Sequence, residues 1–598
     1  MSRFSTRTAR VSVVGLAAGA LILTGCSSGG GGGGGEGVSK DDAAKQQVKY
    51  DFGDEEASTG PAEPVKGAQE GGALTVYQRD SFAHLDPAQM YVSDEGAMST
   101  LIHRRLTTYK RDNAGKYTVV GDLAKDSGQS SNGDREWKYE LKDGVKWEDG
   151  SEITSKDIRH TFERMFAPFI SEGPVFIQQW LAGESGTGYR DLLKEGPYEG
   201  DHLPDSILET PDDKTIIFKF KNPQPDLPYA LGMAGYAAVQ EKGDTKEKYD
   251  KDPVASGPYK IKSFKSGKSM KLVRNEEWDP DTDAVRHAYP DTHNIQFGVS
   301  YEASTKRLAS DSAENKTAVS YSNQVDASSM QSVRSDEDVK KRSLAGYQPY
   351  VGKISFNMDR LKDKKVREAI AYALPAQSLM QAFGGSGGGE LGGSYLSPTV
   401  AGHTGADPYG KIKNPQGDVD KAKEILKDAG KDGMKLTFAF QNSPEWQDFS
   451  IAAKDNLEKA GFDVQLKDIV SDTYYDQIGK TDNKFDMYHS SWGADWPSAS
   501  TVVPPTLDGR QVQDGASNYS HYDNPEMNKE MDRISKITDA DKAAEEWGKL
   551  ADKILKEDLP DIPLMYYKQI QLHGSKVGGA VLNDVISGID PTQLYIKK

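Results

Sequence analysis

Apolar and polar positions change period several times along the chain, and each change predicts an element. After a glycine pair, residues 71–77 alternate at Leu74 and Val76, which predicts a strand. Residues 99–109 carry Leu101, Arg105 and Leu106 at helical spacing. Trp137 to Leu141 alternate again, turn at Lys142-Asp143-Gly144, resume through Val145 and Trp147, and turn at Asp149-Gly150, a hairpin pattern. Thr154 with Asp157 three residues on forms a capping box ahead of an apolar stripe at Ile158, Phe162, Met165 and Phe166.

The second half is more regular. Val419, Ala422, Ile425 and Leu426 mark one helix face, with Gly430 where a helix-ending glycine belongs. Leu436, Phe438 and Phe440 alternate as a strand, and Phe449, Ala453 and Leu457 line a helix stopped by Gly461. Phe462, Val464 and Leu466 alternate next, and 485–491 reads as a further strand. Residues 543–557 read as a helix, 564–567 as a buried strand and 594–596 as a final apolar anchor. Helices interleaved with strands predict an α/β layer whose ligands bind at strand ends.

One such end is Trp492-Gly493-Ala494-Asp495-Trp496, a single acid between two tryptophans. Aromatic rings around one carboxylate, on a loop held by a strand, suit a small cationic group. The same residues suit an acid capping a turn between two core tryptophans, and the residue pattern alone leaves both readings open.

Length and charge narrow the picture. A chain of 598 residues is too long for one core. Its formal charge of −17, with no basic block interleaved with aromatics, argues against a nucleic-acid partner. Residues 1–25 differ from the rest. Arg3, Arg7 and Arg10 precede an apolar run over 11–23 that is short for a membrane span, and Leu23-Thr24-Gly25-Cys26 follows. This is a secretory signal whose ending resembles the bacterial lipobox, which implies lipidation of Cys26, the one cysteine of the chain. Removing 1–25 deletes three arginines and no acids, taking the charge to −20. Glycine-rich 27–37 and the polar sequence up to about Glu70 predict a flexible tether over 26–70, spanning roughly 35 Å.

The run from Leu141-Lys142-Asp143-Gly144-Val145-Lys146-Trp147 to Asp157-Ile158 resembles the signature of the extracellular solute-binding proteins, family 5, the peptide, oligopeptide and nickel binders of ABC importers. Ser256-Gly257-Pro258-Tyr259, the end at Asn275 to Trp278, Val366 to Leu374 and Asp418 to Gly430 are similar to further family segments in the same order. The resemblance implies an α/β, two-lobed Venus-flytrap fold of the large oligopeptide-binding type, with an extra α/β subdomain in the first lobe. The first lobe would be 71–108, 210–343 and 561–598, the subdomain 109–209, and the second lobe 344–560. It also implies that Asp495, within Trp-x-x-Asp, pairs with a peptide α-ammonium, that Trp492 and Trp496 wall it, and that the backbone of Trp492, Gly493 and Ala494 pairs with the peptide main chain. Tyr91 and Val92 match the first-lobe segment flanking the ligand. Tyr259 and Trp278 read as core. The expected partners are a peptide, the permease subunits and the membrane through Cys26. The protein is expected to be a monomer on the outer face of the bacterial cytoplasmic membrane, with no cofactor. The family's usual Asp-Arg pair after Leu374 is replaced by Pro375-Ala376.

Enzyme signals are thin. Gly384-Gly385-Ser386-Gly387-Gly388 fits G-x-S-x-G inside a glycine tract, without the strand-to-helix elbow the motif needs. Gly267-Lys268-Ser269 lacks the upstream glycine of a P-loop. Asp279, Asp281 and Asp283 begin like a calcium loop, but Ala284 and Pro290 stand at its glycine and glutamate positions. Ten scattered histidines give no zinc spacing. A binding protein is therefore expected rather than an enzyme, with another solute (sugar, nickel chelate, opine) or a surface sensor as alternatives.

Overall fold

The computed structural model describes residues 51–598 except 113, 114 and 185. The signal segment, the lipobox with Cys26, and the tether up to residue 50 lie outside the described residues. Residues 51–70 do not continue as a tether. Phe52 bridges Val119, the Gly53 amide donates to the Val119 carbonyl at 2.7 Å, and Val65 N–H donates to the Tyr289 hydroxyl at 3.1 Å. This polar segment has no core of its own, and it orders by lending backbone hydrogen bonds to a surface that is already folded.

Three sheets organise the rest. The first runs Ala318–Val319, Ala73–Tyr77, Thr292–Gln296, Ser269–Arg274, Tyr259–Lys265, parallel over its first three strands and antiparallel beyond. The second is antiparallel and runs Gln129–Ser131, Glu136–Glu140, Thr215–Lys219, Leu208–Glu209, beside a separate hairpin of Thr107–Arg111 and Tyr117–Gly121. The third is mixed and runs Gly389–Leu391, Asp561–Leu572, Ser343–Phe356, Met487–Gly493, Lys435–Gln441, Asp463–Ile469.

The local signals account for many of these elements. Thr154 N–H donates to Asp157 Oδ2 at 3.0 Å, closing the capping box of the Ser155–Arg164 helix, whose Ile158 and Phe162 are buried against the second sheet's core. Each such side chain stabilises the packing by about 1.5–3 kcal/mol. The helices Val419–Asp428 and Pro444–Lys459 cover the third sheet where the apolar stripes require. Gly430, at φ +65°, follows the first of them, a backbone conformation that glycine enters without strain.

Four further expectations are corrected. Helical spacing over 99–109 is interrupted: the helix is Ser93–Ile102, and Thr107–Arg111 is a strand, as its β-branched and aromatic residues favour. The hairpin at 142–144 turns, but Glu136–Glu140 takes Thr215–Lys219 as its partner, and the chain after the turn forms only the Lys146–Glu152 bridge. That pairing also carries the subdomain sheet past the expected boundary at 209. Likewise Asp561 to Tyr567, assigned to the first lobe, pair within the third sheet.

Two long strands link the third sheet to the first. Ser343–Phe356 and Asp561–Leu572 pair along most of their length with a register irregularity between Tyr347 and Val351. Their Ser343 and Leu572 ends reach the first sheet, where His573 bridges Val319 and Ile570 and Leu572 pack with Leu308 and Ala318. No helix among the described residues is long and apolar enough to cross a membrane.

Candidate functional site

Asp495 lies two residues beyond the Met487–Gly493 strand. Antiparallel pairing sets Gly493 opposite Tyr350, and a Cβ on 493 would come within 2.7 Å of the Tyr350 ring, so glycine is what admits the ring at the strand end. The chain then folds round Thr501. Trp492 Nε1 donates to the Thr501 carbonyl at 2.7 Å, the Asp495 amide donates to Thr501 Oγ1 at 3.1 Å, and Thr501 Oγ1 donates to the Ser498 carbonyl at 2.9 Å.

These bonds fix the loop without using the Asp495 carboxylate. Its Oδ2 is closed off from solvent and has no hydrogen-bond partner among the described residues. Among the described residues, the Tyr91 hydroxyl is the group beside the carboxylate that most favours its charged form. Burial pushes the Asp495 carboxyl up to about 7, with the Tyr91 hydrogen bond pulling the other way. Tyr236 and Tyr350 also face it, and burial raises both phenols, so they stay neutral. No cation pairs with Asp495 among the described residues. A buried carboxylate in this state is costly unless a positive group arrives.

The segment leading to Tyr91 begins at a buried ion pair. Asp86 accepts from Arg164 Nη1 at 2.7 Å and Nη2 at 2.9 Å, both side chains fully buried, while Asp250 accepts the Leu85 and Asp86 amides at 2.7 and 2.9 Å. The segment carrying Tyr91 and Val92 is thereby tied to the subdomain helix. Both residues keep exposed surface, 42% for Tyr91 and 55% for Val92.

Asp495, Ala494, Tyr91, Val92 and Tyr350 line one cavity of about 120 Å³. Tyr91 also borders a larger cleft of about 790 Å³ between the subdomain and the second lobe, together with Trp492, Trp496, Phe176, Trp180 and Asp226. Gly493 lines neither and serves the strand. Trp496 is more than a wall. Only 3% exposed, it extends from the end of a third-sheet strand into the core around the second sheet, 4.8 Å edge-on from Phe176, and its Nε1 donates to Asp226 at 3.0 Å. Ser500 donates to the same carboxylate, whose acidity burial weakens. Trp496→Phe keeps the ring packing and removes the donor, so it is expected to loosen the contact between lobes by about 1–3 kcal/mol. Small-angle scattering of the empty protein should show a larger radius of gyration, and an unchanged profile would count against the contact.

Asp226, Phe176, Trp180 and Tyr350 were not singled out by the sequence. Asp226 follows Asn222-Pro223-Gln224-Pro225, which reads only as a loop. Of the motifs with other chemistry, Ser386 is exposed on a short turn and accepts from Arg334 at 2.8 Å. Asp279 accepts the Asp281 amide at 3.0 Å, and Asp283 pairs with Arg286 at 3.1 Å. Tyr259 is buried, as expected of core, and its hydroxyl donates to the Pro290 carbonyl at 2.8 Å.

Comparison with known proteins decides the family. Residues 118–514 match the family model described as bacterial extracellular solute-binding proteins, family 5, middle. The chain belongs to this family. Among similar family 5 proteins is the oligopeptide-binding protein AppA of Bacillus subtilis (strain 168), 25% identical over 507 residues, covering 80% of this chain and 83% of AppA. The dipeptide-binding protein DppE of the same strain is 22% identical over 487 residues, covering 76% and 80%. The solved structure of clavulanic acid biosynthesis oligopeptide binding protein 2 superposes with a TM-score of 0.81 at 25% identity, covering 93% of this chain and all of that one. The two-lobed binding-protein fold expected of family 5 is thus the fold of this chain.

Proposed function

We propose that this family 5 protein captures short peptides outside the cell membrane and hands them to an ABC permease, with Asp495 holding the peptide ammonium. The observation that carries this reading is the Asp495 carboxylate, buried with Oδ2 unpartnered and no cation beside it among the described residues. A peptide ammonium supplies the missing charge through a charge-assisted bond. The names of the relatives, oligopeptide- and dipeptide-binding, support the same cargo. Trp492 to Ala494 offer main chain beside the acid, so side chains need not be read for the peptide to be held. Closure about the two long strands that join the lobes would bury the guest and give the permease a loaded shape to recognise. A lipid on Cys26 would keep the monomer at the outer face of the cytoplasmic membrane, and no reaction is required of it.

Native mass spectrometry of the protein purified from cells tests the cargo. Co-purified peptides should appear as a ladder of added masses, and a single repeated non-peptide mass would replace the reading. The pH dependence has a definite sign. Below about 7 the empty site holds a proton that an incoming ammonium must displace. Affinity should therefore fall by up to about tenfold per unit as pH drops below 7, and fall again above about 8 as the peptide amine loses its proton. Calorimetry at pH 5.5, 6.5 and 7.5 at fixed salt reads this directly, and a flat profile would contradict it.

A further inference from the structure

The cavity that holds Asp495 is also lined by Arg105, a residue only 3% exposed whose guanidinium takes part in no ion pair among the described residues. Its surroundings show why. Three arginines, Arg104, Arg105 and Arg286, meet two carboxylates, Asp122 and Asp283, beneath the first-lobe helix Ser93–Ile102. Asp122 accepts from Arg104 Nε at 2.8 Å and from Arg286 Nη1 and Nη2 at 2.9 and 2.7 Å, while Asp283 accepts from Arg286 at 3.1 Å. Both acids are used up. Lys142 adds a further amine to this cluster, spent on the carbonyls of Ser58, Gly121 and Thr282.

Arg105 is left over. Its guanidinium makes one side-chain hydrogen bond, Nη2 to Ser99 Oγ at 3.1 Å, and its Nε has no partner among the described residues. Burial and the neighbouring Arg286 weaken its hold on its proton, lowering it to about 10, so it remains a cation at neutral pH. A buried guanidinium that faces a cavity unpaired is as costly as the unpaired carboxylate across that cavity. Asp495 and Arg105 are not paired with one another. Asp590 and Arg286 also line the cavity but are engaged, by Asn583 and Thr592 and by Asp122 and Asp283, so among the described residues Asp495 and Arg105 are the lining charges that take part in no ion pair.

We infer that Arg105 is a second recognition group, which binds a carboxylate of the ligand, and that the preferred cargo is a short zwitterion held by its ammonium at Asp495 and its carboxylate at Arg105. This rests on the peptide reading above and narrows it. Arginine suits the task, because its planar donors match a carboxylate and it keeps its charge at neutral pH. The small volume of this cavity, about 120 Å³ against about 790 Å³ for the neighbouring cleft, fits the main chain of a short guest, with longer side groups turned toward the cleft.

The test is calorimetry at pH 7.5 with trialanine and trialanine amide on the wild type and on Arg105→Gln. The expected result is an amide that binds the wild type at least tenfold more weakly than the acid, and a difference that collapses below about threefold in the variant, with the amide's own affinity little changed. Equal affinities of acid and amide for the wild type, or an equal loss of both in the variant, would overturn the inference. Should neither form bind either protein, the peptide reading fails separately, and acetate decides on Arg105. A melting temperature raised by acetate over matched chloride in the wild type and not in Arg105→Gln keeps the anion site, and the same response in both removes it.

Discussion

Replacing Asp495 by Asn is expected to weaken the binding of a free-amine peptide by about a hundredfold or more, while making the empty protein harder to melt at pH 8. The first effect follows from removing one side of a buried charge pair, which costs about 2–5 kcal/mol in enclosed sites. The second follows from the same carboxylate seen without its guest. In the folded chain it titrates near 7, against an ordinary value of 3.8. Between those values the folded protein keeps a proton that the unfolded chain releases, so stability declines as pH rises from about 4 to 7. Asparagine has no charge to bury, so the variant escapes that decline. A gain on the order of 1–3 kcal/mol at pH 8 is expected, shrinking toward pH 4. Differential scanning calorimetry at both pH values measures it, and a variant less stable than the parent at pH 8 would mean that Asp495 serves the fold.

Asp86→Ala is expected to cost about 3–5 kcal/mol, because it leaves the fully buried Arg164 guanidinium without its two-pronged partner. Asp244 remains at 3.3 Å from Arg164 Nε, but it already accepts from His160 at 2.8 Å and from the Tyr198 hydroxyl at 2.6 Å, so it compensates little. The loss should also reach the site. Asp86 opens the segment that carries Tyr91, so any variant that still folds should bind peptide more weakly than its stability alone explains. Denaturant unfolding gives the first quantity and calorimetry on the folded fraction the second. A cost below about 1 kcal/mol would mean that the ion pair is dispensable.

Much of the second lobe was legible because its elements announce themselves locally. The apolar stripe at Val419, Ala422, Ile425 and Leu426 and the glycine after it can only be a helix and its end, and the structure puts Val419–Asp428 there. Partners were not legible. Glu136–Glu140 reads as a strand, but nothing in its residues points to Thr215–Lys219, about eighty positions on, and the nearby turn suggested the wrong neighbour. Leu101, Arg105 and Leu106 shared a helical spacing across a real break, since Ile102 ends the helix and Thr107 begins a strand.

The site divides in the same way. The family resemblance supplied Asp495 and Tyr91, and the structure brings these two together from different lobes. It did not reveal that Trp496 joins the core around Phe176, nor that the Arg105 guanidinium, among the described residues, takes no part in the ion pairs of its cluster. Each of these is a count of neighbours drawn from distant segments, which no local spacing encodes. The tether expectation failed at 51–70 for a related reason, because composition describes what a segment can bury by itself and not which surface it can lie on.

The most direct test crosses a change in the guest with a change in the protein. Affinities at pH 7.5 of trialanine and N-acetyl-trialanine are measured on the parent and on Asp495→Asn by titration calorimetry. A carboxylate that grips the ammonium predicts a loss of about a hundredfold on acetylation in the parent and nearly none in the variant, a coupling of roughly 2.7 kcal/mol between the two changes. Additive effects, with acetylation costing the variant as much as the parent, would show that the amino end is recognised by something other than Asp495.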